Sequence, residues 1–212
     1  MRRSPAIPFL SSCAVLLAVA GCAGSDDTSD GGPAQDVAAA GSESAAAGAG
    51  ELTAVLVDAA GAEVGTVELS PAGSGTRVSV EATALPPGFH GFHVHGIGVC
   101  EPGSVSPTDP SMTGDFLSAG GHLGAADADH GQHAGDLPSL FIGQSGTGDL
   151  AAVTDAFTLD DLTDDDGSAF MVHAGPDNYA NIPERYAPAG ADQATRGTGD
   201  AGGRIACGRV EG

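Results

Sequence analysis

The chain contains no lysine. Its seven cationic side chains are all arginine, set against 28 acids, for a formal net charge of −21. A surface so poor in cations offers little to nucleic-acid phosphates or anionic headgroups, and both are therefore poor partners. The plain role of the excess acid is solubility. Long hydrophobic runs are missing too. The clearest apolar stretch, Ala14 to Ala20, is too short to span a bilayer as a mature helix. No segment of residues 51–212 carries a convincing helical period, and no repeat or linker divides it. Cysteine is scarce, with four in 212 residues.

What is present at the start of the chain reads as an export signal. Arg2 and Arg3 supply the positive end, and the apolar run follows. Val19, Ala20, Gly21 and Cys22 then resemble the lipobox of bacterial lipoproteins, in which cleavage precedes the cysteine and its thiol and amine are acylated. Residues 1–21 are thus expected to be a signal peptide, with Cys22 the lipidated first residue of the mature chain. Residues 22–50 are mostly Ala, Gly, Ser and Asp with no aromatic, a composition that cannot bury enough to fold. They read as a tether with a reach of about 30 Å. The expected localisation is export, followed by lipid anchoring to the outer face of the cell membrane. Loss of Arg2 and Arg3 leaves five arginines against 28 acids, a formal mature charge of −23. Cys13 leaves with the signal and Cys22 carries lipid, so Cys100 and Cys207 remain. One disulfide is implied, the alternative being two unpaired buried thiols.

Residues 51–212 show hydrophobic period two almost throughout. Strand candidates are Thr53–Asp58, Val64–Leu69, Arg77–Ala84, Phe89–His95, Leu137–Gly143, Asp149–Leu159, Ala169–His173 and Arg204–Val210. The expected fold is all-β, a Greek-key eight-stranded flattened barrel or sandwich with two long functional loops at 96–136 and 174–203. The segment LTDDDG resembles a calcium loop, but Leu162 sits at the first ligand position and His173 at the closing glutamate position. A hairpin turn is the better reading.

The chemistry lies in the histidines. Alternation in GFHVHG puts His93 and His95 on one face about 7 Å apart, while Phe92 and Val94 face a core. His122, His130, His133 and His173 follow downstream, enough neutral nitrogen for a four-nitrogen copper centre.

The order GFHVH, Cys100, GGH, HGQHAGD, MVHAGPD and GDAGGRIACG closely resembles the copper, zinc superoxide dismutases in their bacterial exported form. The resemblance covers essentially all of residues 51–210. It implies an enzyme that converts superoxide, as substrate, to oxygen and hydrogen peroxide. It implies copper ligands at His93, His95, His122 and His173, with His122 the imidazolate bridging to zinc. By the same resemblance Arg204 is the active-site arginine that attracts and orients the anion, and Asp177 links a copper-ligand histidine to a zinc-ligand histidine. His90 corresponds to a hydrogen-bonded structural residue, and Tyr179, Tyr186 and Pro183–Arg185 look like loop anchors.

The zinc side departs from the family pattern. His122, His130, His133 and Asp136 are the candidates, but only two residues separate His130 from His133, where the family has a clearly longer loop. Two outcomes stay open: a closed zinc site, or a copper-only centre with one histidine facing solvent. A non-catalytic copper-binding or storage module on the same fold is the competing function, and Arg204 argues against it, because storage has no use for a cation beside the metal. A surface adhesion domain would not need four convergent histidines. Subunit interfaces vary in such a family, and the sequence shows no apolar patch that selects one; a homodimer is the assembly considered.

Overall fold

A computed structural model describes residues 51–212. The expected signal peptide, Cys22 and the expected tether, residues 1–50, lie outside the described residues. Eleven strands are present: β1 (Leu52–Asp58), β2 (Glu63–Ala72), β3 (Gly75–Ala82), β4 (Gly88–His90), β5 (Phe92–His95), β6 (Ser104–Val105), β7 (Thr113–Gly114), β8 (Leu140–Ile142), β9 (Gly148–Thr154), β10 (Ala169–His173) and β11 (Arg204–Arg209). Seven form one antiparallel sheet in the order β5-β10-β11-β1-β2-β3-β9, and β4 pairs with β8. Because β4 runs into β5 through Gly91 and β8 turns into β9 through residues 143–147, the β4-β8 ladder bridges the two edge strands. Counting β4 and β5 as one broken strand, and setting aside the small β6-β7 hairpin, eight strands curl into the expected all-β architecture.

Alternation decides what fills the interior. Leu56, Val67, Leu69, Val78, Val80, Phe92, Val94, Leu140, Ile142, Phe170 and Val172 form the main core, with Phe92 and Phe170 stacked at 5.5 Å between ring centroids. A second, smaller cluster lies on the other face of β10 and β11. It comprises Phe116, Ala119, Ala169, Met171 and Cys207, with Cys100 packed against it. The loop 96–136 therefore roofs the outer face of the barrel at those two strands. The Cys100–Cys207 disulfide, with 5.7 Å between Cα atoms, pins it there.

Several expectations are corrected in detail. The strand expected to run to Leu159 ends at Thr154, and the one expected over Leu137–Gly143 is confined to Leu140–Ile142. The LTDDDG turn forms, with Gly167 N–H donating to Asp164, but it is not a hairpin, because β9 and β10 are not neighbours. A six-residue helix, α1 (Gln193–Thr198), occupies the loop 174–203, where no helix was expected. Its signals are local: Asp192 accepts from Thr195 N–H as the N-cap, and Gly199 ends it in the left-handed region at φ 60°.

Candidate metal centre

The pleat of β5 sends Phe92 and Val94 into the core and His93 and His95 to the opposite face. The returning end of loop 96–136 docks on the free edge of this strand. Val94 N–H donates to Gly135 O and Leu123 N–H to Val94 O, both at 2.9 Å. Isolated bridges therefore set His122 opposite His95 and Asp136 opposite His93. On the other edge, β10 pairs Met171 with His93, which carries His173 to the same region.

Arg204 reaches that region only because of a bulge. Strict alternation along β11 would put Arg204 on the face opposite Cys207. The register instead shifts between Val172 and His173, so that Val172 pairs with Ala206 but His173 with Arg204. Ile205 and Ala206 both pack toward the core, and Arg204 emerges on the side of His173.

Each histidine is oriented through one ring nitrogen. His93 Nε2–H donates to Asp177 Oδ2 at 2.7 Å, His95 Nδ1–H to Gly120 O at 2.9 Å and His173 Nδ1–H to Gly202 O at 3.0 Å. The other three nitrogens, His93 Nδ1, His95 Nε2 and His173 Nε2, are buried with no hydrogen-bond partner. Buried polar atoms without partners are rare and costly unless something else satisfies them. His93, His95, His122 and His173 each offer a ligand atom, all within 4.8 Å of one another. Burial is the main reason that three of these imidazoles, those of His95, His122 and His173, stay neutral. It pushes His173 down to about 3 and His122 to about 4, and it holds His95 well below the ordinary histidine value, with the Arg204 charge adding to the effect.

A second group shares His122. Its Nδ1 lies 2.9 Å from Asp136 Oδ1, that of His130 3.1 Å and that of His133 3.3 Å from the same oxygen, and the His122 and His133 Nδ1 atoms are 3.3 Å apart. Four ligands each about 2.0–2.1 Å from a tetrahedral ion lie about 3.3 Å from one another, so these donors fit zinc. By mutual proximity His93 also falls near His122, His130 and Asp136, but its Nε2 is taken by Asp177 and its Nδ1 is the donor it offers to the first group. His133 is the better fourth member. His130 is 3 % exposed and His133 4 %, so neither is stranded in solvent by the short interval between them. Asp177 receives His130 Nε2–H at 2.8 Å as well as His93 Nε2–H at 2.7 Å, joining a histidine of each group. Burial works against a charge on His130, yet Asp136 and Asp177 overcome it and raise the group to about 9. Both carboxyls are correspondingly held well below their usual range, against the opposing effect of burial.

Helix α1 closes this side. His130 N–H donates to Arg196 O at 2.7 Å. A Cβ on Gly199 would stand 2.0 Å from Asp177 Oδ1 and 2.3 Å from His130 Nε2, so only glycine leaves room for that contact. His90, by contrast, stays out of both groups. Its Nδ1 is 2.7 Å from His173 O and its Nε2 2.8 Å from Pro86 O, which makes it a brace between backbone segments.

A cavity of about 590 Å³ opens onto His95, His122, His173 and Arg204, with Asp115 and Asp200 at its lining. The Arg204 guanidinium donates to Phe116 O and Gly120 O, which fixes its plane, and burial lowers it to about 10, still charged at neutral pH. Sequence reasoning missed both carbonyl holders. Phe116 sits at φ 58°, an outlying conformation for a bulky side chain, and only the register of the roofing loop could have revealed it.

Residues 63–210 match the profile of the family described as copper/zinc superoxide dismutase (SODC). The chain belongs to the copper/zinc superoxide dismutase family. Proteins named superoxide dismutase [Cu-Zn] are similar to it: that of Mycolicibacterium paratuberculosis is 45 % identical over 176 residues, covering 79 % of this chain and 77 % of that protein. The one from Mycobacterium tuberculosis is 44 % identical over 171 residues, covering 77 % and 71 %. Among solved structures, the Cu/Zn superoxide dismutase from Brucella abortus is similar at a TM-score of 0.59 and 30 % identity, covering 76 % of this chain and 99 % of that one. A SOD-like protein from Bacillus subtilis is similar at 0.55 and 29 %, covering 74 % and 96 %. The superoxide dismutase family uses copper and zinc, and the two histidine groups have the donors to hold them.

Proposed function

We propose that the protein is an exported superoxide dismutase with copper held by His93 Nδ1, His95 Nε2, His122 and His173 Nε2, and zinc held by His122, His130, His133 and Asp136. The observation that carries this reading is the set of three buried, partnerless nitrogens beside His122, those of His95 and His173 belonging to residues that line one cavity with Arg204. With Nδ1 committed to the Asp136 side, Nε2 is the nitrogen His122 has left to offer. Copper bound there supplies the one-electron couple that oxidises one superoxide to oxygen and reduces the next to hydrogen peroxide. The chain's own residues do the rest. Arg204 draws in and orients a small anion that the net charge repels. The carbonyls of Phe116 and Gly120 hold its guanidinium still, and His122 Nε2, when not bound to copper, would hold one of the two protons that hydrogen peroxide requires, the other coming from solvent. A clamped cation in the cavity favours catalysis over copper storage.

Removing a donor tests the assignment. His173→Ala is expected to lose copper and dismutase activity together, measured by elemental analysis and superoxide consumption; full copper retention in a folded variant would refute the ligand set. Attachment to the outer face of the cell membrane through lipid on Cys22, after removal of residues 1–21 and with residues 22–50 as tether, is part of the same proposal. Cys22→Ala should then move to the soluble fraction with its specific activity intact, and a variant that stays on the membrane would sink the anchor. A homodimer is proposed over β4 and β8, where Phe89 and Phe141 are 57 % and 53 % exposed with ring centroids 4.9 Å apart. The two strands themselves, Gly88–His90 and Leu140–Ile142, contain no Asp or Glu, which limits like-charge repulsion where a second copy would pack. Sedimentation should show a dimer that Phe141→Glu converts to monomer.

A further inference from the structure

We propose that Tyr179 is a positioning residue for both metal groups, an inference that rests on the binuclear reading above. Its main chain, ring and hydroxyl each hold a different part of the centre. Tyr179 N–H donates to Asp177 Oδ1 at 2.7 Å, two residues back, which fixes the rotation of the carboxylate that receives His93 on Oδ2 and His130 across both oxygens, at 2.8 and 2.9 Å. That donation coincides with a left-handed backbone, φ 55° at Tyr179 and 53° at Ala180, a conformation uncommon for side chains of this kind. The phenol ring lies nearly parallel to His130, 14° between planes at a centroid distance of 6.4 Å, and so limits the tilt of that imidazole. At the far end of the ring, Ser139 N–H donates to the hydroxyl oxygen at 2.8 Å, and Ser139 Oγ lies at the same distance.

Ser139 follows Asp136 by three residues, so the hydroxyl secures the exit of the segment that carries His130, His133 and Asp136. The two loops meet tightly at this point. A Cβ on Gly131 would stand 2.8 Å from Tyr179 O, and the glycine, at φ +85°, leaves that approach open. A short interval between His130 and His133 gives the segment little slack to orient its own donors. An outside clasp replaces the missing length. Groups that orient a metal ligand without touching the metal commonly change affinity by about 10- to 100-fold when removed.

The test compares parent, Tyr179→Phe and Tyr179→Leu in the full protein. Zinc affinity is measured by competition with a chelator, and cobalt(II) placed in the zinc position reports ligand geometry through its visible spectrum. Tyr179→Leu is expected to lose about 10- to 100-fold in zinc affinity and to shift the cobalt bands. Tyr179→Phe, which keeps the ring and loses only the Ser139 contact, should lose less and retain the parent spectrum. A general loss of stability would lower the melting temperature but leave the cobalt spectrum in place. A folded Tyr179→Leu with parental zinc affinity and parental cobalt spectrum overturns the inference. If that variant does not fold, Tyr179→Phe decides by affinity alone, and parental affinity there overturns it. A parent that takes up no zinc refutes the binuclear reading instead. The copper(II) electron paramagnetic resonance spectrum then tests Tyr179 through Asp177 and His93: a changed hyperfine coupling in Tyr179→Leu supports the positioning role, and an unchanged one overturns it.

Discussion

At the scale of single residues, Arg204 joins a charge to a fixed geometry. Two carbonyl oxygens, of Phe116 and Gly120, hold the guanidinium, so its contribution lies in electrostatics already in place when the anion arrives. Arg204→Glu is therefore expected to lower kcat/KM by about 100-fold while copper per chain stays at the parental level, with Arg204→Lys intermediate. Equal kcat/KM in the glutamate variant would show that another group steers the substrate. The histidines were legible in the sequence because period two in a strand leaves few choices for where His93 and His95 point. Asp177 was legible only through the family resemblance. The carbonyl holders of Arg204 were not, since every residue has a carbonyl and nothing in a side-chain pattern says which one is aimed.

At the scale of elements, the disulfide, the loop it pins and the bulge in β11 act as one assembly. The loop carries Phe116 and Gly120, the strand carries Arg204, and Cys100–Cys207 ties the two. Replacing both cysteines by serine should lower stability by about 2 to 5 kcal/mol. It should also reduce kcat/KM without removing copper, because the carbonyls that clamp Arg204 gain freedom while His93, His95 and His173 stay on their strands. Unfolding curves and copper analysis on the double variant check this, and unaltered kcat/KM would separate the loop from the arginine. Strand positions were largely readable, for alternation and turn residues mark them. The bulge was not, because a one-residue shift in register leaves the sequence of β11 looking like any alternating strand. Helix α1 escaped because six residues cannot show a full apolar stripe, although Asp192 and Gly199 marked its ends.

At the scale of the whole molecule, charge and titration set the response to solution conditions. The chain is strongly acidic, at a formal net charge of −21, and Asp115 and Asp200 line the cavity that a superoxide anion must enter. Added salt screens that repulsion more than it weakens the buried, short-range pull of Arg204, so kcat/KM is expected to rise with ionic strength between about 10 and 150 mM. A fall would mean that local attraction governs capture.

Stability of the metal-free protein should depend on pH in both directions. His122 and His173, lowered to about 4 and 3, stay neutral in the fold while the unfolded chain takes up protons below about 6.5, so stability falls as pH drops through that range. His130, raised to about 9, has the opposite sign: its contribution is full below about 6.5 and is lost as pH climbs to 9. The melting temperature should therefore peak near pH 6.5, and zinc should abolish the alkaline limb by occupying His130 Nδ1. A metal-free profile flat from pH 6.5 to 9 would contradict the His130 assignment.

The spacing of the donors along the chain also orders events in time. His122, His130, His133 and Asp136 come from one short segment, whereas His93 and His173 meet only after the barrel has brought β5 and β10 side by side. Closing a loop some five times longer costs roughly 1.5 kcal/mol more in chain entropy. A partly folded chain can gather the first set before the second exists. On the proposed ligand sets zinc would then be an early passenger and copper a late one, and a chain caught without its barrel closed would leave the redox metal with nowhere to stay.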